Sequence, residues 1–403
     1  MKTIVFIGCN NSGTSKEALK IATEMGYWVV LFTDKNNHRD LMEVDEILSI
    51  KNLFDEQLVM KKIAELQSGG KQICACVSFI DPYVSYSARL SNQLGIGKVS
   101  LESLNLMEDK IEIRETLKHL PISPLHRIIH PEKTIQSLKV ELKPCLPLII
   151  KASVSNGSRD VLMVETIGAL EKAVVDLQKK HPNKNLLVEE LLQGSQYLIE
   201  LVVHQDEIKF IEIIEQEIVY NGKFIVTAYK YPALLEEKIL NRLHLHISSI
   251  IKQLGFSTGS CHIEMKLVQG EWKLIEINPR MSGGAMNQII EEGTGINLLR
   301  EILNIYLGEE LSFIKNREKY VYARYLTIGT RGKLLRVIGE EQALKHDDIK
   351  YVYIKPKVGR FLRKPYSMGD RYACIIAASD SAKKAEENTL AAAKDIRFYI
   401  EPY

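Results

Sequence analysis

The sequence predicts a mixed α/β and α+β chain, with a helix-covered parallel sheet at the N-terminus followed by segments rich in consecutive strands. Three observations predict it. Strand and helix patterns alternate through the first hundred or so residues, which implies a parallel sheet. From about residue 185 strand patterns follow one another directly, and one pair carries the period-two signature of a hairpin. The length, 403 residues, exceeds what one hydrophobic core holds and suits two or three packed units.

Taken in order, Thr3 to Ile7 is apolar and β-branched and reads as the first strand. Thr14-Ser15-Lys16-Glu17 has capping-box spacing, and Ala18, Ile21, Ala22 and Met25 then recur at helical intervals. Gly26 ends that helix, and Tyr27 to Phe32 is the second strand. A helix around Gln57 to Ser68, a strand at Cys74 to Ile80 and a helix near Tyr83 to Leu94 continue the alternation. The turn from Gly8 to Gly13 lacks the G-x-G-x-x-G order of a dinucleotide site. It reads as a strand-to-helix turn at the carboxyl edge of an open sheet, where ligands bind.

A helix from Glu108 to Leu120 precedes Pro121, Pro124 and Pro131. The apolar strand Pro147 to Ala152 leads into a polar turn, Ser153 to Asp160, then a strand Val161 to Val164 and a helix Ile167 to Lys180. Strands follow at Asn185 to Glu190, Tyr197 to His204 and Lys209 to Gln216. A helix from Ile239 to Leu254 carries Leu240, Leu243, Ile247, Ile250, Ile251 and Leu254 on one face. His244 and His246, two residues apart on it, point in different directions and make no metal pair. The final stretch holds short strands, loops and an Ala-rich helix near Ser381 to Lys394.

Composition excludes several classes. The chain is 45% hydrophobic and 26% charged, and 53 Lys plus Arg against 51 Asp plus Glu leave a net charge of +2. That balance argues against a protein that grips nucleic acid by general phosphate neutralisation. The basic segment Lys355 to Lys364 reads as a solvated face or a loop near anionic substrates. The apolar run at the N-terminus is far short of a membrane span. The six cysteines form no C-x-x-C pair and sit in apolar contexts, as thiols of a reducing cytoplasm do.

The most informative stretch runs from Cys261 to Val268 and from Trp272 to Arg280, with Gly270 between. Pairing Val268 with Trp272 across a three-residue loop sets Glu264 opposite Glu276 and His262 opposite Asn278. All four then share one face, and Ile263, Met265 and Leu267 take the other. Carboxylates about 5 Å apart repel unless a cation lies between them. Magnesium, or manganese, is a hard ion suited to two carboxylates and an amide. Arg280 and the turn Ser282-Gly283-Gly284 extend this into a metal–phosphate site.

Upstream, Lys151 ends an apolar strand, where an ammonium is costly unless it meets an anion. With Met107-Glu108-Asp109-Lys110, the Leu148 to Ala152 strand, the Ser153 to Asp160 turn, Leu187 to Gly194 and the carboxylate hairpin in that order, the chain resembles the ATP-grasp superfamily. The resemblance covers residues 1 to 310 and extends to the whole chain. It implies a Rossmann-like domain at 1–105, a small ATP-grasp subdomain at 106–184, a large one at 185–310, and a C-terminal α+β segment at 311–403. It places Lys110 and Lys151 on the phosphates of ATP, with Ser155, Gly157 and Ser158 in the phosphate loop. Glu189, with backbone at Glu190 and Leu192, takes the adenine; Glu264, Glu276 and Asn278 take Mg2+ or Mn2+. Arg280 serves the transferred phosphoryl or acyl phosphate, and His262, Gly283 and Gly284 border the second substrate.

There are departures from the family pattern. Gln196 stands where a ribose-binding acid is usual, the loop has a single glycine, and His262 replaces an arginine of some amide-forming relatives. The C-terminal motifs Gly329-Thr330-Arg331-Gly332 and Tyr366 to Arg371 are similar to those of the L-amino acid ligases, which make dipeptides. That likeness implies amino-acid substrates, a basic one such as arginine in some members, with no nucleic-acid or membrane partner, and it admits a homodimer. A biotin-carboxylase-like or carbamoyl-phosphate-forming enzyme is the nearest rival, although no Ala-Met-Lys-Met motif or duplicated half is present. A non-catalytic nucleotide-binding module is a second rival.

Overall fold

The computed structural model of the chain describes residues 1–35, 43–131, 135–153, 157 and 160–403. The first unit alternates as its pattern demands: β1 (Lys2–Ile7), α1 (Thr14–Glu24), β2 (Trp28–Thr33), β3 (Glu46–Ser49), α2 (Glu56–Ser68), β4 (Gln72–Val77) and α3 (Val84–Gln93). Its sheet is parallel, in the order β3-β2-β1-β4. The expected capping box on α1 is corrected. Gly13 is the N-cap and no side chain caps the helix. The Thr14 hydroxyl instead donates 2.7 Å to the carbonyl of Ser282, because the turn is recruited by a distant loop.

Two short helices follow, α4 (Leu101–Glu108) and α5 (Lys110–Leu117). The predicted Glu108 to Leu120 helix therefore starts two residues late. Asp109 is extended, and its carboxylate accepts from the N–H groups of Ile111 and Glu112 as the cap of α5. A small antiparallel sheet comes next, ordered β5-β8-β6-β7, from β5 (His126–Ile129), β6 (Leu148–Ala152), β7 (Val161–Val164) and β8 (Leu186–Glu190). The short α6 (Lys139–Leu142) and the longer α7 (Ile167–Lys180) belong to the same segment. Because β8 pairs with β5 and β6, this sheet reaches past residue 184.

The rest builds one large antiparallel sheet. Its elements are β9 (Ser195–His204), β10 (Glu207–Tyr220), β11 (Phe224–Tyr231), α8 (Glu237–Gln253), β12 (Gly259–Val268), β13 (Glu271–Asn278), α9 (Met286–Thr294), α10 (Leu298–Leu307) and β14 (Tyr320–Leu326). Beyond these lie β15 (Gly332–Ile338), α11 (Glu340–Ala343), β16 (Ile349–Ile354), β17 (Phe361–Leu362), β18 (Ala373–Ser379), α12 (Ala382–Ala393) and β19 (Arg397–Pro402). The sheet order is β13-β12-β9-β10-β11-β14-β18-β16, so hydrogen bonding runs unbroken across residue 310 into the C-terminal segment. A separate three-stranded sheet, β17-β15-β19, closes the chain.

Period-two alternation on β9 explains how the large sheet is covered. Tyr197, Ile199, Leu201 and Val203 pack with Leu243, Ile247 and Ile250 of α8 and with Leu104, Met107 and Leu117 of α4 and α5. Leu198 and Val202 pack on the opposite side with α1, α9, α10 and the N-terminal sheet. Glu200 lies on that second face, within the otherwise apolar run Leu198 to Val203. No helix among the described residues is long and apolar enough to cross a membrane. All six cysteines are free thiols; Cys9, Cys76, Cys261 and Cys374 are buried as expected, whereas Cys74 and Cys145 are only half-buried.

Candidate active site

The site is built on the β12–β13 hairpin, and its register corrects the expected turn while keeping the expected pairs. The loop has two residues, Gln269 and Gly270, both at positive φ (50° and 84°), and Val268 pairs with Glu271 rather than Trp272. The one-residue difference is absorbed by a bulge: Met265 pairs with Leu274, yet Glu264 pairs with Glu276, leaving Ile275 as the extra residue. The bulge inverts the parity of β13. Trp272 and Leu274 face the core before it, and Ile277 does so after it. Without it Glu276 would share the core face with Trp272 and Leu274. With it, Glu264, Glu276, His262 and Asn278 gather on one face, as the sequence predicted.

The carbonyl freed at the bulge is put to use. Ile275 O accepts from Arg114 Nη2 at 2.6 Å and from Lys151 Nζ at 3.4 Å, and Leu274 O accepts from Arg114 Nη2 at 3.1 Å. Arg114 also pairs with Glu189, whose second oxygen meets Lys151 Nζ at 2.5 Å. All three side chains are at most 7% exposed. Burial opposes the charge of Glu189, but Arg114 and Lys151 outweigh it and hold the carboxyl below its ordinary value. Burial, aided by Arg114, lowers Lys151. Lys110 reaches Glu276 from the first turn of α5 at 3.0 Å.

The two hairpin carboxylates differ in charge state. Burial and the neighbouring Glu276 push Glu264 up to about 7. Burial also opposes ionisation of Glu276, but Lys110 and Lys151 prevail and its carboxyl falls below the usual range. Glu264 Oε2 accepts from Gln196 Nε2 at 3.1 Å, and that amide also donates 2.9 Å to Gln216 Oε1. Gln196, which the resemblance sets near a ribose, hydrogen-bonds this carboxylate and Gln216. Asn278 Nδ2 donates to His262 Nε2 at 3.2 Å, which leaves its Oδ1 to act as a ligand. Among the described residues no group of three or more His, Cys, Asp or Glu converges. Two carboxylates and one amide form an all-oxygen donor set that fits Mg2+ or Mn2+, and an ion beside Glu264 removes the repulsion that keeps it protonated.

A stability test follows. A carboxyl raised in the fold binds more protons than in the unfolded chain between about 4.5 and 7, so the stability it lends declines as pH rises through that window. Glu200, pushed by burial to about 7, acts in the same sense. Glu264→Gln is expected to raise the thermal midpoint of the metal-free protein at pH 8 by several degrees, about the effect of 1–2 kcal/mol, and to change it little at pH 5. A melt showing no gain at pH 8 would mean that burial and Glu276 together do not disfavour the charge on Glu264.

The cleft is closed by the turn after β13. Arg280 makes a two-pronged ion pair with Asp81, with Nε at 3.0 Å from Oδ1. His262 is buried, its Nδ1 lies 2.7 Å from Arg280 O, and burial together with Arg280 pushes it down to about 4. The ring fixes Asn278 and the Arg280 backbone. Ser282 N–H donates to Glu200 Oε1 at 3.0 Å. Gly284 has φ 78°, and a Cβ there would meet Tyr325 Oη at 2.8 Å; a Cβ on Gly13 would meet Gly284 N at 3.0 Å. Both positions favour glycine because φ is positive at each, and at Gly13 backbone also approaches backbone. Gly283 is exposed.

The remaining predicted residues fall as follows. Glu190 N–H donates to Leu125 O at 3.1 Å, and Leu192 O accepts from Lys266 Nζ at 2.9 Å. Gly157 O accepts from Met368 N–H at 3.5 Å, and Ser155 and Ser158 lie outside the described residues. A recess of about 700 Å³ bordered by Glu115, His126, Glu190 and Lys273 includes none of the hairpin carboxylates. Sequence reasoning missed Arg114, Asp81, Glu200 and Gln216. Three had signals: Arg114 is i+4 from Lys110 on one helix face, Asp81-Pro82 follows a strand at the carboxyl edge, and Glu200 interrupts an apolar strand.

Known proteins resemble this chain in sequence and fold. The family model of the ATP-grasp domain matches residues 145–288, and that of L-amino acid ligase C-terminal domain 2 matches residues 324–401. Residues 145–288 thus match an ATP-grasp domain, and the chain as a whole resembles ATP-grasp carboxylate–amine ligases. Among these it resembles the L-amino acid ligases. The crystal structure of L-amino acid ligase from Bacillus licheniformis superposes with a TM-score of 0.86 at 17% identity, over 100% of this chain and 99% of that one. Uncharacterized protein y4rH of Sinorhizobium fredii is 23% identical over 350 residues, 85% of this chain and 72% of that protein. Dapdiamide A synthase of Enterobacter agglomerans is 23% identical over 262 residues, covering 62% of this chain and 61% of that protein, under two thirds of its length.

Proposed function

We propose that the enzyme activates the carboxylate of one amino acid with ATP and couples it to the amine of a second, releasing a dipeptide, ADP and phosphate. The observation that carries this reading is the apposition of Glu264 and Glu276 across the hairpin, with Lys110 and Lys151 against them. A carboxylate does not react with an amine at neutral pH, because its leaving group is too poor. Conversion to an acyl phosphate supplies a good one.

In this reading Lys110 and Lys151 neutralise the phosphates of ATP, and Glu189, held between Lys151 and Arg114, stands beside the adenine with the backbone of Glu190 and Leu192. Glu264, Glu276 and the Asn278 amide hold magnesium, which supplies charge neutralisation at the transferring phosphoryl group. Arg280, oriented by Asp81, meets the acyl phosphate and the oxyanion formed as the amine adds. The loop from Ser153 to Asp160 excludes water from the intermediate. The chain works in the cytoplasm, on small molecules.

Lys151→Ala is expected to weaken ATP binding by about 10- to 100-fold, the effect of one charge-assisted contact; a calorimetric titration with unchanged affinity would remove Lys151 from the nucleotide site. The function itself is tested by phosphate release with ATP and magnesium across a panel of amino acids, arginine included. Release that needs an amino acid supports the ligase. Release driven by bicarbonate alone points to a carboxylase-type enzyme and overturns the proposal.

A further inference from the structure

We infer that Arg371, from the C-terminal segment, binds the carboxylate of the acceptor amino acid and so sets the specificity for the second substrate; the inference rests on the ligase reading above. Arg371 follows a rigid turn. Ser367 and Asp370 cap it reciprocally, and the Asp370 carboxylate accepts from Tyr366 N and Ser367 N at 3.0 Å and from Arg363 Nε at 2.9 Å. The adjacent acid is therefore committed elsewhere. The Arg371 guanidinium donates instead to two backbone carbonyls, Met368 O at 3.2 Å and Val226 O at 3.4 Å, and stacks over the Tyr325 ring at 3.8 Å. Tyr229 adds a hydroxyl.

Among the described residues no carboxylate lies within ion-pair distance of Arg371, although the side chain is partly buried. Its charged neighbour Lys355 is another cation, whose amine donates to Gly369 O at 2.6 Å. Lys110, Lys151, Arg114 and Arg280 each face a carboxylate. Arg371 stands apart from them. A half-buried guanidinium without a counter-ion is unfavourable, and a bound carboxylate, matched by the planar donor fork, removes the penalty.

Position selects which carboxylate. Met368 N–H donates to Gly157 O, so the turn touches the phosphate loop. A Cβ on Gly284 would lie 3.4 Å from Arg371 Nη2, which sets the guanidinium against the turn that follows Arg280. An amino acid whose carboxylate rests on Arg371 is thus held between the phosphate loop and the Arg280 turn, where its amine can meet the acyl phosphate. Arg371 makes no hydrogen bond to Glu264, Glu276 or Asn278, which argues against a phosphoryl ligand shared with the metal.

The test is steady-state kinetics of wild type, Arg371→Gln and Arg371→Lys, with an acceptor amino acid and its carboxamide. In Arg371→Gln the KM for the acceptor should rise about 30- to 100-fold and the KM for ATP less than about threefold, the loss of one bidentate charged contact. The wild-type preference for the acid over the amide should collapse toward unity, with Arg371→Lys between the two. A rise confined to the KM for ATP, or to the inhibition constant of inorganic phosphate, would identify a phosphoryl site and overturn the inference. Wild type that accepts the amide as readily as the acid overturns it too, whatever the variants do. If wild type releases no phosphate with any amino acid, the ligase reading itself fails and this inference with it.

Discussion

Glu276→Gln is expected to reduce amino-acid-dependent phosphate release by about 1,000-fold or more, with the fold retained. Glutamine keeps the shape of glutamate and still accepts from Lys110, which lies 3.0 Å from Oε1. What it loses is a full charge in a site where Lys110 and Lys151 hold that charge in place. In the proposed mechanism Glu276 would help hold a divalent ion, which would supply charge neutralisation at a phosphoryl group. Circular dichroism and a melt would establish that the fold survives, and a coupled phosphate assay would read turnover. Near-normal turnover in a folded variant would take the hairpin out of the mechanism.

The second large effect is on stability. Arg114→Met should destabilise the protein by about 3 kcal/mol, the lower end of the range for breaking a buried ion pair by removing one partner. Arg114 is 2% exposed, pairs with Glu189, and donates to the carbonyls of Leu274 and Ile275 on either side of the bulge register shift. Methionine fills the space but leaves a buried carboxylate with Lys151 alone. Arg114→Lys should recover little, since one ammonium cannot reach an acid and two carbonyls in the guanidinium's geometry. Chemical denaturation would measure it. A loss below about 1 kcal/mol would mean that Lys151 by itself satisfies Glu189 and that the bulge needs no anchor.

Much of the site was legible because strands impose a simple rule on side-chain direction. The alternation of His262, Glu264 and Lys266 with Ile263, Met265 and Leu267 named the polar face of β12 without help. The partner strand was harder. The expected three-residue loop and the observed two-residue loop with a bulge give the same Glu264–Glu276 and His262–Asn278 pairs. Only the second keeps Leu274 with Met265 and Trp272 with Leu267 on the core side, and periodicity over so few residues did not separate the two. Thr14 was misread for a related reason: its spacing from Glu17 fits a capping box, but the hydroxyl bonds Ser282 across the fold.

By itself, the sequence determined the class of the elements with a clear period and the apposition of two acids: an alternating α/β start, a hairpin with two facing acids, and lysines ending a strand and opening a helix. These depend on local periodicity and on what an isolated charge costs when buried. Tertiary structure alone decided which partner each charge receives. Arg114 on Glu189, Asp81 on Arg280, Glu200 on Ser282 and Arg371 on the Val226 carbonyl join residues far apart in the chain. No local pattern encodes such pairings, because they follow from how the sheets and the C-terminal segment pack around one cleft.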